Sequence, residues 1–577
     1  METFSSLVML LRHRAATQPD ERAYIFLSDR GAEEATLTFR ELWDTASGLA
    51  SRLATRVAPG ERALLVFPPG LEFLVAFFAC QIARVIAVPM MVPRRNSARD
   101  ASANIVANCA PAIVLTSPAL ANREDVRARF QGGTPEWLPV EIASPLPSFA
   151  GFEPPRPRPR PEDIAFLQYT SGSTSDPKGV AVSHANLLAN LDMIRVSLGN
   201  TKRSTYVNWV PLYHDMGLIL NALEALYVGA LCVLLAPNAF MQRPLNWIRA
   251  IHTYRAEVAC GPNFGYDLCV DRYRADQMQD IDLSAWKVAL NGAEPVNAQT
   301  IEKFAATFAK HGFDRNAIFP AYGMAEATLL ISGGRRGAGH VARGVSRSGL
   351  QDHIVRAPAD AMDIQTVVGC GRALVNERVA IVDPANRNRL ALNQVGEIWV
   401  CGPNVAGSYW RNSNATDTDL KARIAGDDDA ADWLRTGDLG FLDADGELFI
   451  TGRIKDLIII RGVNHYPQDI ERSVQAAHPA LRANCGAAFS VSGELRDEEL
   501  VVVQEVERTA RNKIDPTEIT DLIRQGVVDQ HEVFARHIAL IRPGALPKTT
   551  SGKIQRDLAR KLWLQGRWND SVVAGAG

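Results

Sequence analysis

Short apolar runs alternate with stretches of helical spacing over most of this chain. Runs at 23–27, 63–67, 86–90, 112–116, 164–169, 207–211, 231–235, 258–260, 288–291 and 317–321 are apolar on both faces. Strands covered on both sides of a sheet have this pattern. Helical spacing over 38–57 opens at Thr38 with Glu41 three residues on, the arrangement of a capping box. Further helices are expected over 71–82 and near 101–109. The alternation predicts parallel α/β sheets. From about 365 to 454 the pattern tightens to strands at 379–382, 397–401 and 448–451 between glycine turns, a small β-rich part. From 455 onward, strands at 457–460, 487–491 and 500–503 with helices between them predict a compact α+β unit. The expected fold class is α/β: an N-terminal domain over 1–454, made of two doubly wound α/β subdomains plus the β-rich part, followed by a small α+β domain over 455–577. The last six residues read as a frayed tail.

At 577 residues the chain is too long for one core. Its 47% hydrophobic and 22% charged residues are ordinary for a globular protein. A net charge of −2 argues against nucleic-acid binding, which calls for a basic surplus. The eight cysteines are scattered, with no close pair to hold zinc, and suit the reduced thiols of a cytoplasmic protein. The first residues, METF, lack the basic-then-apolar layout expected of a signal peptide. Residues 71–92 imitate a membrane span, but Arg84 in the middle and Pro89 and Pro93 exclude one. The stretch 153–162 (EPPRPRPRPE) reads as a stiff connector.

After the run at 164–169 comes TSGSTSDPKGV over 170–180. Thr170, Ser171, Gly172, Ser173 and Thr174 offer small side chains, hydroxyls and accessible backbone N–H groups, and Lys178 a point charge, which together suit a phosphate. The loop departs from the Walker motif at Pro177 and Gly179. Other polar clusters fall at predicted strand ends, where open α/β sheets bind ligands: NGAEP over 291–295, PAYGMAEAT over 320–328, RTGD over 435–438, Gly452-Arg453, and LPKTTSGKIQR over 546–556. Taken singly, each has an ordinary explanation as a turn or a solvated charge. Their order and spacing together do not.

The set resembles the adenylate-forming superfamily of acyl-CoA synthetases, peptide-synthetase adenylation domains and luciferases, over about residues 10 to 560. Within it the chain looks most like a fatty acyl-AMP ligase, on the strength of NWVPLYHDMGL (208–218), NGAEPV (291–296), YGMAEATL (322–329), GRIKDLI (452–458) and NHYPQD (464–469). Extra sequence between 332 and about 367 matches the place where that subfamily carries an insertion thought to hinder CoA-dependent chemistry. Ser175 stands where the wider family has glycine.

The resemblance implies that a medium- or long-chain fatty acid is activated by ATP to an acyl-adenylate, with pyrophosphate released. The acyl group then passes to the phosphopantetheine thiol of a separate acyl carrier protein, since about twenty residues after Arg556 leave no room for one. It implies that Lys178 and the 170–174 loop hold the β- and γ-phosphates, that Glu326 binds Mg²⁺, and that His214 lies near the α-phosphate. Tyr322, Gly323, Met324 and Gly292, Ala293 and Glu294 would surround adenine, and Asp438 and Arg453 would hold the ribose. Lys553, on a mobile C-terminal unit with Lys455 at its hinge, would bridge carboxylate and α-phosphate. Three other readings compete with this one. An acyl-CoA synthetase differs in its thiol acceptor. An amino-acid adenylation domain would use an aspartate such as Asp215. An inactive nucleotide- or lipid-binding protein would have no need of both Lys178 and Lys553.

Overall fold

The computed structural model describes residues 4–93, 102–128, 130, 135–142, 158–170, 177–427, 431–493, 498–510, 514–549 and 552–568, and the backbone of 572–576. Residues 171–176, most of the expected phosphate loop, and 153–157 of the proline-rich connector lie outside this set.

Two large sheets carry the chain up to about residue 410. The nine-stranded sheet runs, edge to edge, Arg372–Ala373, Leu330–Gly333, Ile318–Gly323, Val288–Asn291, Val258–Gly261, Tyr206–Asn208, Cys232–Leu235, Arg22–Leu27, Glu33–Thr38. Its six central strands are parallel, and antiparallel strands close both edges. The seven-stranded sheet runs Ser408–Tyr409, Gly179–Ser183, Ile164–Tyr169, Ile86–Met90, Arg62–Val66, Ile113–Thr116, Glu136–Pro139. It is parallel apart from its first two strands. One continuous core joins residues of both sheets to helices Leu7–Thr17, Phe39–Ala54, Glu72–Ala83 and His184–Leu198. Burial on two faces explains why these strands are apolar runs and not alternating ones.

The segment that imitates a membrane span is helix Glu72–Ala83 followed by strand Ile86–Met90. Twelve residues of helix reach about 18 Å, well short of a bilayer core. Among the described residues no helix is long and apolar enough to cross a membrane. Thr38 caps its helix, and both halves of the box with Glu41 form.

The β-rich part is an antiparallel sheet of Arg378–Val382, Gly396–Cys401, Leu434–Leu442 and Leu448–Arg453. Residues 435–438, expected after a strand, lie inside Leu434–Leu442. Gly437 at φ +71° and an adjoining register shift interrupt the alternation, so the stretch reads as a turn. The region 332–367 contains a hairpin, Ala342–Ser346 with Ile364–Val368, enclosing helix Arg347–Gln351. Beyond the short turn Ile454–Asp456, strands Leu481–Ser492, Glu498–Val506, Ala535–Ile541 and Val572–Ala576 form a mixed sheet with core clusters of its own. The last residues are therefore a strand paired to Ala535–Ile541, not a frayed tail.

Arg556 ties this last unit together. Its guanidinium donates two bonds of 2.7 Å to Glu471 and one of 3.1 Å to Asp456, beside the turn at 454–456. Removing one partner strands a buried charge, at a cost of about 3 kcal/mol or more. Arg556→Ala is therefore expected to lower the local stability of residues 455–568 by about 3 kcal/mol, read as faster hydrogen exchange in strands Leu481–Ser492 and Glu498–Val506. A change under about 1 kcal/mol would show that the ion pair adds nothing net.

Candidate active site

Four neighbouring parallel strands of the nine-stranded sheet end at one place. Tyr206–Asn208 runs on into the turn that carries His214, and Val258–Gly261 into helix Asn263–Asp271. Val288–Asn291 runs on into Gly292, Ala293 and Glu294, and Ile318–Gly323 ends at Tyr322 and Gly323. The carboxyl edge of a parallel sheet is where such folds place ligands.

The geometry here is tight. A Cβ on Gly292 would lie 2.8 Å from the Ala321 carbonyl oxygen, and one on Gly323 would lie 1.9 Å from that of Leu329. Ala293 follows at φ +71°, a conformation that L residues seldom hold. Asn263 fixes the 291–297 segment, accepting from Asn291 (3.1 Å) and the Asn297 N–H (3.1 Å) and donating to the Pro295 carbonyl (2.9 Å).

Cross-strand register sets Asp438 directly opposite Arg453. Arg453 Nε donates to Asp438 Oδ1 at 2.8 Å, and the buried Tyr322 hydroxyl donates to Oδ2 at 2.7 Å. One carboxylate thus joins the β-rich sheet to the large sheet. Burial and the Asp438 charge push the Tyr322 phenol well above its usual range, so it stays a donor.

Glu326 is buried, and its Oε1 accepts from the Tyr409 hydroxyl at 3.0 Å. Burial raises its pKa against the opposing pull of Tyr409, Arg453 and Lys178. Lys178 Nζ donates to Asp419 at 2.7 Å and sits 4.7 Å from the centre of the Tyr409 ring. Lys178 leads into strand Gly179–Ser183, which pairs antiparallel with Ile164–Tyr169, so Thr170 and Lys178 stand next to each other at the ends of that pair. Gly179, where a Walker loop has a hydroxyl residue, leaves room for the Tyr169 ring, 2.8 Å from where a Cβ would stand. Ser171, Gly172, Ser173 and Thr174 lie outside the described residues, and Thr170 sits at the loop's start. Met324 is half-buried beside Gly323.

His214 Nδ1 lies 2.6 Å from Asp215 Oδ1. Burial alone would raise the Asp215 pKa; His214, then Lys553 and the Met216 N–H, outweigh it and hold the carboxyl low. Lys553 reaches the same cluster from the C-terminal unit. Burial lowers its pKa and Arg453 adds to the effect, while Asp215, Glu294 and Asp438 oppose it. Burial raises the Glu294 carboxyl, and its Oε1 is enclosed without a partner. Lys455, at the turn between the two parts of the chain, is exposed.

An apolar pocket is lined by Phe26, Phe67, Phe73, Met90, Leu212 and Tyr213 among others, Tyr213 being the residue before His214. Residues 218–228 are buried in the main core. Among the described residues no cluster of three or more His, Cys, Asp or Glu could hold a metal ion. Tyr409 and Asp419 were not singled out from sequence, because they lie in a stretch with no periodicity to mark them.

Residues 11–410 match the family described as AMP-binding enzyme, and residues 455–572 match the AMP domain of Disco-interacting protein 2-like proteins. The chain belongs to the AMP-binding enzyme family. It is 40% identical to the medium-chain-fatty-acid–acyl-carrier-protein ligase JamA of Moorena producens, over 98% of this chain and 96% of that one. It is 35% identical to the corresponding ligase TtuA of Teredinibacter turnerae, over 97% and 94%. The structure of a fatty acyl-adenylate ligase from Legionella pneumophila in complex with acyl adenylate and pyrophosphate matches with a TM-score of 0.74 and 38% identity, covering 99% and 97% of the two chains. Within the family, then, the chain groups with the fatty acyl-AMP ligases, enzymes that use ATP.

The Asp438 hub gives a direct test. Asp438→Asn leaves Arg453 without its ion pair and weakens the Tyr322 contact. Bonds to charged groups contribute about 1.5–3 kcal/mol, less where a partner is half exposed as Arg453 is. AMP affinity is expected to fall roughly tenfold in calorimetry; unchanged affinity would remove Asp438 from the nucleotide site.

Proposed function

We propose that this protein activates a medium- or long-chain fatty acid as its adenylate and then loads the acyl group on the phosphopantetheine thiol of an acyl carrier protein. The observation that carries this reading is Lys553. A lysine from the C-terminal unit is brought among Asp215, Glu294, Asp438 and Arg453 at the carboxyl edge of the sheet.

In the first step a fatty carboxylate oxygen attacks the α-phosphorus of ATP, and the bond to the β-phosphate bridging oxygen breaks to release pyrophosphate. Two anions must meet, so the site's work is positioning and charge neutralisation. Lys553 supplies an ammonium between them. Lys178, with the 170–174 loop, takes the β- and γ-phosphates. His214 stands by the α-phosphate. Asp438 and Arg453 hold the ribose, and Tyr322, Gly323, Met324, Gly292, Ala293 and Glu294 surround adenine. Glu326 fits a Mg²⁺ ligand: the ion binds through one or two carboxylates and substrate phosphates, and a cation would offset the cost of a buried carboxylate. Bound there, the ion supplies further positive charge for the phosphates.

In the second step the unit from 455 to 577 turns away from the 1–454 domain at the Ile454–Asp456 turn, withdrawing Lys553, and the thiol attacks the acyl carbonyl with AMP leaving. The apolar pocket that reaches Tyr213 supports a hydrocarbon-bearing substrate. The 342–368 hairpin favours a carrier protein over CoA as acceptor, because it packs on the C-terminal unit. The Asn464 amide donates to the Gln351 carbonyl at 2.8 Å, Gln365 to Asp469 at 2.8 Å, and Arg347 to the Gln530 carbonyl. The reaction belongs in the cytoplasm, where ATP and carrier proteins meet.

The deciding assay incubates the protein with Mg-ATP and a fatty-acid series, alone, with CoA, or with a phosphopantetheinylated carrier protein, and identifies products by mass. Acyl-AMP that accumulates, ignores CoA and loads the carrier is the expected result. Rapid acyl-CoA formation would instead make this a CoA ligase, the activity named for a 35% identical relative, a putative fatty-acid–CoA ligase of Mycobacterium tuberculosis.

Lys553→Ala should abolish acyl-AMP synthesis and spare nucleotide binding; an equal loss of ATP affinity would contradict the bridging role. Because burial lowers the Lys553 pKa, the ammonium form is lost as pH rises through that lowered value. The kcat/KM profile for adenylation, which reports the free enzyme, should therefore fall on an alkaline limb below the ordinary lysine range near ~10.4. A limb at or above that range would contradict the assignment.

A further inference from the structure

Helix Asn263–Asp271 meets the C-terminal unit at two points one turn apart. Gly552, next to Lys553 and at φ +86°, lies so close to the Phe264 ring that a Cβ there would stand 2.8 Å from it. Phe264 is propped in turn by Trp209, at 5.6 Å edge to face, and Trp209 stacks on Phe240 at 3.9 Å. Three residues on, Asp267 Oδ2 accepts from the Asn484 side chain at 3.1 Å.

Asn484 is not a free surface residue. It sits at φ +55°, its N–H donates to Gln475 at 2.8 Å, and its carbonyl accepts from Lys548 Nζ at 2.7 Å. Lys548 opens the loop that ends at Lys553, where the Thr549 N–H donates to the Lys553 carbonyl at 2.7 Å and a bridge joins Lys548 to Ile554. The loop is thus held at both ends by one core helix: at Gly552 through Phe264, and at Lys548 through Asn484 and Asp267. Residues three apart share a helix face, so both contacts point the same way. Asn263, on the same helix, fixes the 291–297 segment next to Glu294.

We propose that Phe264 and Asp267 form the catch that holds the C-terminal unit in its adenylation position, and are positioning residues for Lys553. Neither touches the reacting atoms in this arrangement. Both contacts exist only while the unit is closed, so the catch shapes the first half-reaction and must be released for the second. This rests on the two-step reading above.

The test measures the half-reactions separately on the full-length protein: fatty-acid-dependent ATP–pyrophosphate exchange, and single-turnover transfer from supplied acyl-AMP to a phosphopantetheinylated carrier protein. Phe264→Ala is expected to lower exchange about tenfold and leave transfer unchanged within about twofold. Asn484→Asp, at an exposed position that tolerates either residue, sets two carboxylates face to face and should lower exchange about fivefold. Adding Asp267→Asn to that variant re-creates an amide–carboxylate pair with the partners exchanged and should restore exchange. Equal losses in both half-reactions, or no rescue by Asp267→Asn, would overturn the catch. Wild-type protein inert in both assays would overturn the functional reading itself, whereas active wild type with unaffected variants would overturn the catch alone.

Discussion

The register that sets Asp438 opposite Arg453 is the constraint on which the rest of the site depends. Each residue sits on a strand of the β-rich sheet, so their pairing is maintained by a ladder and not by a flexible loop. Tyr322 brings the large sheet to the same carboxylate, and the chain turns into the C-terminal unit immediately after Arg453. The proposed nucleotide site, the sheet junction and the proposed hinge therefore share one ion pair. A shift of one residue in this ladder would send Asp438 to the opposite face, and all three would be lost together.

The parallel strands were legible because burial on both faces leaves little choice of residue: the runs at 86–90 and 288–291 match Ile86–Met90 and Val288–Asn291 end to end. What failed to show were features whose cause lies far away in sequence. Strand Leu434–Leu442 looked like a turn because Gly437 breaks its alternation, and only the partner strands reveal a bulge. Strand Val572–Ala576 looked like a tail because Gly and Ala carry no strand signal; its pairing comes from Ala535–Ile541. The polar clusters showed as strand-end motifs, and resemblance supplied their roles. Tyr409 and Asp419 could not be seen that way, since their use follows from standing beside Glu326 and Lys178, each more than eighty residues distant in sequence.

Charge explains why the site is divided between two parts of the chain. Asp215, Glu294, Glu326 and Asp438 crowd one place, and burial opposes ionisation of Glu294 and Glu326. A permanently fixed lysine would neutralise that cluster but would also keep gripping the product's phosphate. On the proposed mechanism, a Lys553 carried on a separate unit supplies its charge during one step and withdraws it for the next. Burial and Arg453 lower the Lys553 pKa, and the surrounding carboxylates oppose that shift.

Such a unit needs contacts strong enough to close and weak enough to release. The contacts seen have that character: Asn484 with Asp267 is a single exposed hydrogen bond, and Gly552 presents only backbone to Phe264. The bidentate pair between Arg556 and Glu471, by contrast, lies wholly within the C-terminal unit. On the proposed mechanism, the ion pair keeps the C-terminal unit intact while its contacts to helix Asn263–Asp271 release. The hairpin at 342–368 adds a third set of contacts, to Asn464, Asp469 and Gln530, on the side away from Phe264 in sequence and in partners alike. On the proposed two-step reading, contacts from two separate segments of the N-terminal part would restrict how the unit leaves, and with it which thiol reaches the adenylate.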